Sequence, residues 1–423
     1  MRWTVARYRR LLLFSALYAP QGLIRGFLTV ALAAHLLQAG LADSAVSVLI
    51  GTALLPWSFK LIWGPIVDAV RIPFVEGNRR PWVLLAQVGM CGCLALIADI
   101  ADPVTALSSL TILFFVCNVC ISIQDIATDA LAIDTLPLDE LGFTNGAMLL
   151  SQMAAQAAGA AGTALLMKHV GFSAAIWAMV GCLLLLLFVP VRTRESEIGG
   201  CEAPGGTRQG VTRRSLLAPL GGLRDALRNR TMAVFCVFGA VVSFGEGLVG
   251  FIVKPFYLRR LGWDAADYSV LVGGSVLPQI LAAVVAGLVL ARAGDGRIPI
   301  RVGYVLYGVC SALVAVFGGS STGVAWAYVV LAPAVLTYAS IAFLAFAMTV
   351  ARSQHAATVF AAVMTMCSIG GVSGTYVGGM LRDGAGMEYE TLLLTSSLGF
   401  VLACGLLRYC ENNLGVISEA RAA

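Results

Sequence analysis

Apolar residues along this chain do not alternate with polar ones. They gather into runs of roughly 20, the length that crosses a bilayer as a helix at about 1.5 Å per residue. Twelve such runs can be bounded, at about 11–37, 44–70, 81–99, 105–136, 143–168, 172–191, 231–257, 265–291, 299–318, 323–351, 355–380 and 388–408. Stretches such as GCLLLLLFVPV have no period of two, which argues against a membrane β-barrel. The pattern predicts an all-α membrane protein with twelve transmembrane helices. Six runs precede the one long hydrophilic stretch, 192–230, and six follow it. The expected organisation is an N-terminal six-helix bundle over 1–191, a cytoplasmic linker over 192–230 with a short amphipathic helix in its second half, and a C-terminal six-helix bundle over 231–423.

Composition supports this. Hydrophobic residues make up 59% and charged residues 12%, about half the charged share of a soluble domain. The basic start, MRWTVARYRR, leads into a long apolar run without a small-residue cleavage site, so it reads as the first span and not as a signal peptide. With that end inside, 21 of the 28 Lys and Arg fall on cytoplasmic segments, and Lys168, Arg259, Arg260 and Arg382 fall outside. The positive-inside rule then puts both termini in the cytoplasm. Because the net charge of +5 comes mainly from Arg in these short loops, no nucleic-acid partner is expected. Cys91 with Cys93, and Cys117 with Cys120, have the spacing of metal or redox pairs, but inside apolar helices they read as soft packing residues. The chain has three histidines and no P-loop, HExxH or GxSxG motif. Catalysis, a cofactor, a metal site and ATP-driven transport are therefore not expected.

The halves carry a weak repeat: Gly64-x3-Asp68 recurs as Gly287-x3-Ala291, each ahead of a basic loop. Two matched six-helix halves joined by a cytoplasmic linker resemble a major facilitator transporter. Gly159 with Gly162, and Gly370, Gly374 and Gly378, form small-residue faces. They predict either a sliding seam between the halves or a static packing seam.

Charges within the spans locate the candidate chemistry, because an ionised side chain at mid-membrane costs about 2.5–3.5 kcal/mol on insertion scales and faces a cavity or a partner. Asp125 and Asp129 are one turn apart on the fourth span, and Asp134 sits at its solvated end. The pair could carry protons or could latch onto Arg71, Arg79 or Arg80. Arg25 lies past the middle of the first span with Gln21 one turn before it, Lys60 lies within the second, and Glu246 and Lys254 lie within the seventh. Glu246 follows Arg25 by 221 residues, near the repeat offset, so the two are expected to approach across the pseudo-two-fold axis, as a static or a switchable ion pair. Arg25, Lys60 and Lys254 would give a cavity a cationic lining suited to carboxylate or phosphate groups, unless the acids neutralise them. Lys254 could instead snorkel. Gln124 is a further hydrogen-bonding candidate.

Two stretches go further. PWSFKLIWGPIVDAVRIPFVEGNRRPW (56–82) and SIQDIATDALAIDTLP (122–137) resemble two signature regions of the peptide–acetyl-CoA–drug transporter family, which includes AmpG-like muropeptide permeases, acetyl-CoA transporters and bacterial siderophore permeases. The sequence departs from that pattern at Asn78, within the basic run, and at Ala130. The resemblance implies functional roles for Lys60, Trp63, Asp68, Arg79, Arg80, Gln124, Asp125 and Asp129. The reading is a proton-coupled importer of a bulky anionic solute, such as a muropeptide or ferric siderophore, in the bacterial inner membrane, and a monomer is expected. Gln21, Arg25, Lys60, Gln124 and Lys254 are expected to engage substrate, and Asp125 and Glu246 protons. Asp68, Arg79, Arg80 and Asp129 are expected to form a cytoplasmic latch. Efflux of a drug or metabolite is the alternative, and a membrane-embedded sensor is a third reading.

Overall fold

The computed structural model describes residues 5–70, 72, 76–193, 230–293, 297–350 and 356–410. The expected linker therefore lies almost wholly outside the described residues. Every regular element among them is helical. They form α1 (5–38), α2 (43–69), α3 (Arg80–Ala98), α4 (Leu107–Thr135), α5 (138–169), α6 (Phe172–Arg192), α7 (230–260), α8 (265–293), α9 (Arg297–Phe317), α10 (Thr322–Val350), α11 (Ala356–Gly384) and α12 (Tyr389–Leu406).

Ten of these are long and apolar enough to cross a membrane. The other two are α2 and α5. In α2 the apolar stretch among the described residues runs Asp43–Phe59 and includes a tight 3-10 turn over Leu55–Phe59, with Pro56 near its start; proline supplies no backbone N–H to continue the α-helical ladder. In α5 the apolar run is diluted by Gln152 and Gln156.

The helices make two compact units. One takes Met1–Leu36, Ile62–Leu216 and Ala265–Gly273; the other takes Leu37–Leu61, Leu217–Asp264 and Gly274–Ala423. In the first, Leu13, Phe14, Leu17, Trp82, Val83, Leu131 and Met148 share a core. Phe27 packs against Phe114 and Phe172 at 6.0 and 6.4 Å between ring centroids. The core of the second is aromatic: Phe235 stacks on Phe343 at 5.0 Å, Phe238 meets Tyr304 edge-on at 5.9 Å, and Phe400 meets Tyr307 edge-on at 5.2 Å.

Packing within the units reproduces the repeat. In the first, a Cβ on Gly26 would strike the carbonyl of Gln156, and one on Gly159 the carbonyl of Leu23. In the second, a Cβ on Gly247 would strike the carbonyl of Gly371, and one on Gly374 that of Phe244. These pairs match at offsets of 221 residues in α1/α7 and 215 in α5/α11. Arg25 and Glu246, each two residues beyond the matched Leu23 and Phe244, are therefore equivalent positions of the two repeats. The chain reverses in the same way: Gly40 after α1 and Gly262 after α7 have φ of 92° and 70°, and Gly171 after α5 and Gly386 after α11 have 103° and 63°. Glycine takes this left-handed conformation without the penalty a Cβ brings.

The small-residue faces pack inside the units: Gly159 sets α5 on α1, Gly370, Gly374 and Gly378 set α11 on α7, and a Cβ on Gly162 would meet nothing within 4 Å. The expectation that these glycines line the seam between the halves is corrected. The spacing permits close approach but does not name the partner helix.

Candidate functional site

Asp125 is buried, at 5% exposure, whereas Asp129 one turn on is exposed. Both turn toward α1, where the Tyr18 hydroxyl donates to Asp129 Oδ1 and also bonds Asp125. One phenol therefore links a dry carboxylate to a wet one, an arrangement that can pass a proton along a short chain of oxygens.

The glutamines play a different part. Gln124 is fully buried and donates through Nε2 to the Leu17 carbonyl at 3.2 Å, tying α4 to α1. Gln152 Nε2 donates to Gln21 Oε1 at 3.2 Å, tying α5 to α1. Both glutamines lie in helix seams, yet Gln21 Nε2 and Gln124 Oε1 keep hydrogen-bonding capacity. Arg25 is exposed, while Gln21–Ile24 and Gly26–Leu28 around it on α1 are buried.

At the end of the first unit that bears the α2–α3 loop, Arg79 Nε meets Asp134 Oδ2 at 3.1 Å. Arg80 donates to the carbonyls of Pro190 and Val191 at 2.9 and 2.7 Å, capping the last turn of α6. The Asp68 side chain lies outside the described ones, as does Arg71. Sequence reasoning missed two partners here. Tyr18 falls within the first apolar run without a distinguishing signal, and nothing in the spacing announced that Arg10 on α1 holds Glu140 on α5 through two bonds of 2.9 and 2.6 Å.

In the second unit the half-buried Glu246 accepts a hydrogen bond from Tyr304, and Tyr307 and Cys367 stand near it. Tyr304 also went unnoticed in the sequence; an aromatic in an apolar run carries no distinguishing signal. Lys60 is half-buried, with Nζ 4.4 Å from the centroid of Trp57. Lys254 is 9% exposed, and its ammonium folds back onto the Gly250 carbonyl of its own helix. Among the described residues no group of three or more His, Cys, Asp or Glu is placed to hold a metal. Cys93 and Cys117 face each other between α3 and α4, with Cys91 and Cys120 beside them.

Each unit therefore sets an acid against tyrosine hydroxyls, and cations lie on the first helix of one unit and on the divided α2 of the other. Such groups can bind anions and exchange protons.

Comparison with known proteins gives the same class. The Major Facilitator Superfamily family model matches residues 14–375. A Rickettsia conorii protein named "Putative transporter AmpG 4" is 25% identical over 67% of this chain and 66% of its own length. Its namesake in Rickettsia felis is 22% identical over 64% of each. This chain thus matches slightly under two thirds of the length of these relatives. Among solved structures, the nucleoside transporter NupG superposes with a TM-score of 0.71 at 12% identity, covering 97% of this chain and 100% of that one. The POT family transporter PepTSo has a TM-score of 0.71 at 12% identity, covering 98% and 99%. At such identities these two likenesses speak for the fold alone.

Proposed function

We propose, from the premise that the chain belongs to the major facilitator superfamily and is a secondary transporter, that it imports a bulky anionic solute into the bacterial cytoplasm, driven by protons. The observation that carries this is Arg25: an exposed guanidinium on a membrane-spanning helix whose immediate neighbours are buried. Facing lipid there is costly, so a water-filled route is the favoured surrounding. A guanidinium in such a route grips carboxylate or phosphate through paired N–H groups. A muropeptide or a ferric siderophore meets that requirement, and the AmpG naming of the relatives supports the former.

In this reading Arg25 and Lys60 engage the substrate anion. Lys254 adds positive charge from its helix without pointing away from it. Asp125 and Glu246 carry protons, with Tyr18 and Tyr304 as their relay partners. Arg79 and Arg80 secure the end bearing the basic loop, together with Asp68 and Asp129. Both termini face the cytoplasm. Gln21 and Gln124 serve substrate through their spare hydrogen-bonding atoms only when the α1 seams loosen.

The test is accumulation in proteoliposomes under an imposed proton gradient, offering an anhydro-muropeptide and a ferric hydroxamate siderophore in parallel. Accumulation of one anion, lost in R25Q and partly kept in R25K, is expected. Counterflow of neutral or cationic drugs with both anions excluded would overturn the reading.

A further inference from the structure

We propose that Asp43, at the first turn of α2, is a protonation site whose charge fastens the start of that helix to α7, α11 and α12. The second unit contains all of these residues. Asp43 is fully buried, at 0% exposure. A carboxylate taken wholly out of water needs partners, and it has them from two directions. Arg259 of α7 reaches Oδ1 through Nη1 at 2.8 Å. The Tyr389 hydroxyl of α12 donates to Oδ2 at 2.8 Å. The other charged groups facing it are Asp383 and Arg382, both of α11.

The same residues hold the backbone around Asp43. Arg259 Nη2 also donates to the Leu41 carbonyl. Asp383 Oδ2 accepts from the Ser44 amide at 2.6 Å, satisfying a donor that the first turn of a helix leaves open. Arg382 lies over the Tyr389 ring at 4.3 Å and donates to the Met387 carbonyl at 2.9 Å. Deeper along α2, Ser47 is packed so closely on Gly379 of α11 that a Cβ there would strike its Oγ, and Thr52 bonds Tyr376. Residues 37–61 consequently cluster with helices that follow the linker in sequence, although α2 precedes it.

A proton has a route to this carboxylate. A cavity of about 470 Å³ is lined by Arg259, Arg382, Asp383 and Tyr389, among others, and two of these touch Asp43 directly. Protonation removes the charge that Arg259 neutralises and turns one acceptor oxygen into a donor. Arg259, whose side chain is a third exposed and lines the cavity, can then exchange its neutral partner for water, and the fastening weakens. Losing a charge-assisted bond of this kind is the local change that lets α2 part from α11. On the orientation proposed above, this cluster faces the outside, so Asp43 is a further proton-coupling residue, distinct from Asp125 and Glu246.

Peptide-level alkylation tests this without any substrate. S47C places a thiol under Gly379, where the closed fastening hides it, and A42C gives an exposed reference on the same segment. The S47C to A42C alkylation ratio, read by mass spectrometry in detergent, is expected to rise roughly tenfold from about pH 8 to about pH 5, equivalent to about 1.4 kcal/mol. D43N added to each reporter should hold the ratio high at both pH values, and D43E should retain the rise. Y389F removes a donor to the carboxylate form and should move the midpoint to higher pH. A flat ratio in the otherwise unaltered chain, or a D43N ratio that still follows pH, would overturn the proposal. An unmoved midpoint in Y389F alongside normal D43N folding would do the same. Repeating the assay in intact cells with an impermeant maleimide tests the orientation separately. Labelling only after permeabilisation would overturn the outward placement while leaving the protonation site standing.

Discussion

Replacing Glu140 by alanine should be among the most damaging single changes in the first unit, for a reason absent from the substrate route. Arg10 and Glu140 join α1 to α5 with side chains only 12% and 10% exposed. Their contact is bidentate, at 2.9 and 2.6 Å. E140A leaves the guanidinium largely desolvated and without that carboxylate. Breaking one side of a buried pair costs about 3–5 kcal/mol, and the slight exposure places the expectation near the lower bound, at about 3 kcal/mol. Replacing both partners by apolar residues of similar size removes the stranded charge, so R10M/E140L should recover most of the loss. Reversible unfolding in mixed micelles, followed by circular dichroism, measures both variants. A loss below about 1 kcal/mol in E140A, or a double variant no more stable than E140A, would refute the claim that stranded charge dominates.

Further outcomes follow from the same contacts. G159A and G374A should each impair folding yield strongly, because each Cβ meets a backbone carbonyl that cannot move aside, while G162A, whose Cβ meets nothing within 4 Å, should express normally; fluorescence-detected size exclusion reads all three. Y18F should shift the pH dependence of proton-driven uptake while leaving substrate counterflow intact, because it removes the hydroxyl shared by Asp125 and Asp129 without removing either carboxylate. K254M should leave the protein folded and transport within about threefold, since the ammonium is engaged with its own helix and not with an acid; a loss as deep as that of R25Q would contradict this placement.

What could be read from the chain follows from how each interaction is encoded. Helix length and polarity are local, so the twelve helices were legible, as was the shared face of Asp125 and Asp129. Asp134 was expected at a solvated helix end; it is exposed there and also holds Arg79. The repeat was visible only as one glycine pair, because packing at a fixed offset constrains backbone approach and leaves most side chains free to differ. Tyr18 with Asp129, and Arg10 with Glu140, are separated by 111 and 130 residues; no periodicity links such positions. Asp43 was passed over because a single acid before an apolar run looks like an ordinary helix start. Its burial depends on three helices that come hundreds of residues later.

The two offsets that relate the repeats have a consequence of their own. A register of 221 residues at α1 falls to 215 by α5, so the first copy of the plan must hold surplus chain somewhere in between. The link joining its second and third helices, residues 70–79, supplies it, where the other copy makes do with 294–296. That surplus includes Arg71 and Arg79 and ends beside Arg80. The protein is thus a doubled scaffold with one arm lengthened by a basic insert. Trimming the insert by about six residues would even the two arms, and would reveal whether the asymmetry serves the fold or the traffic through it.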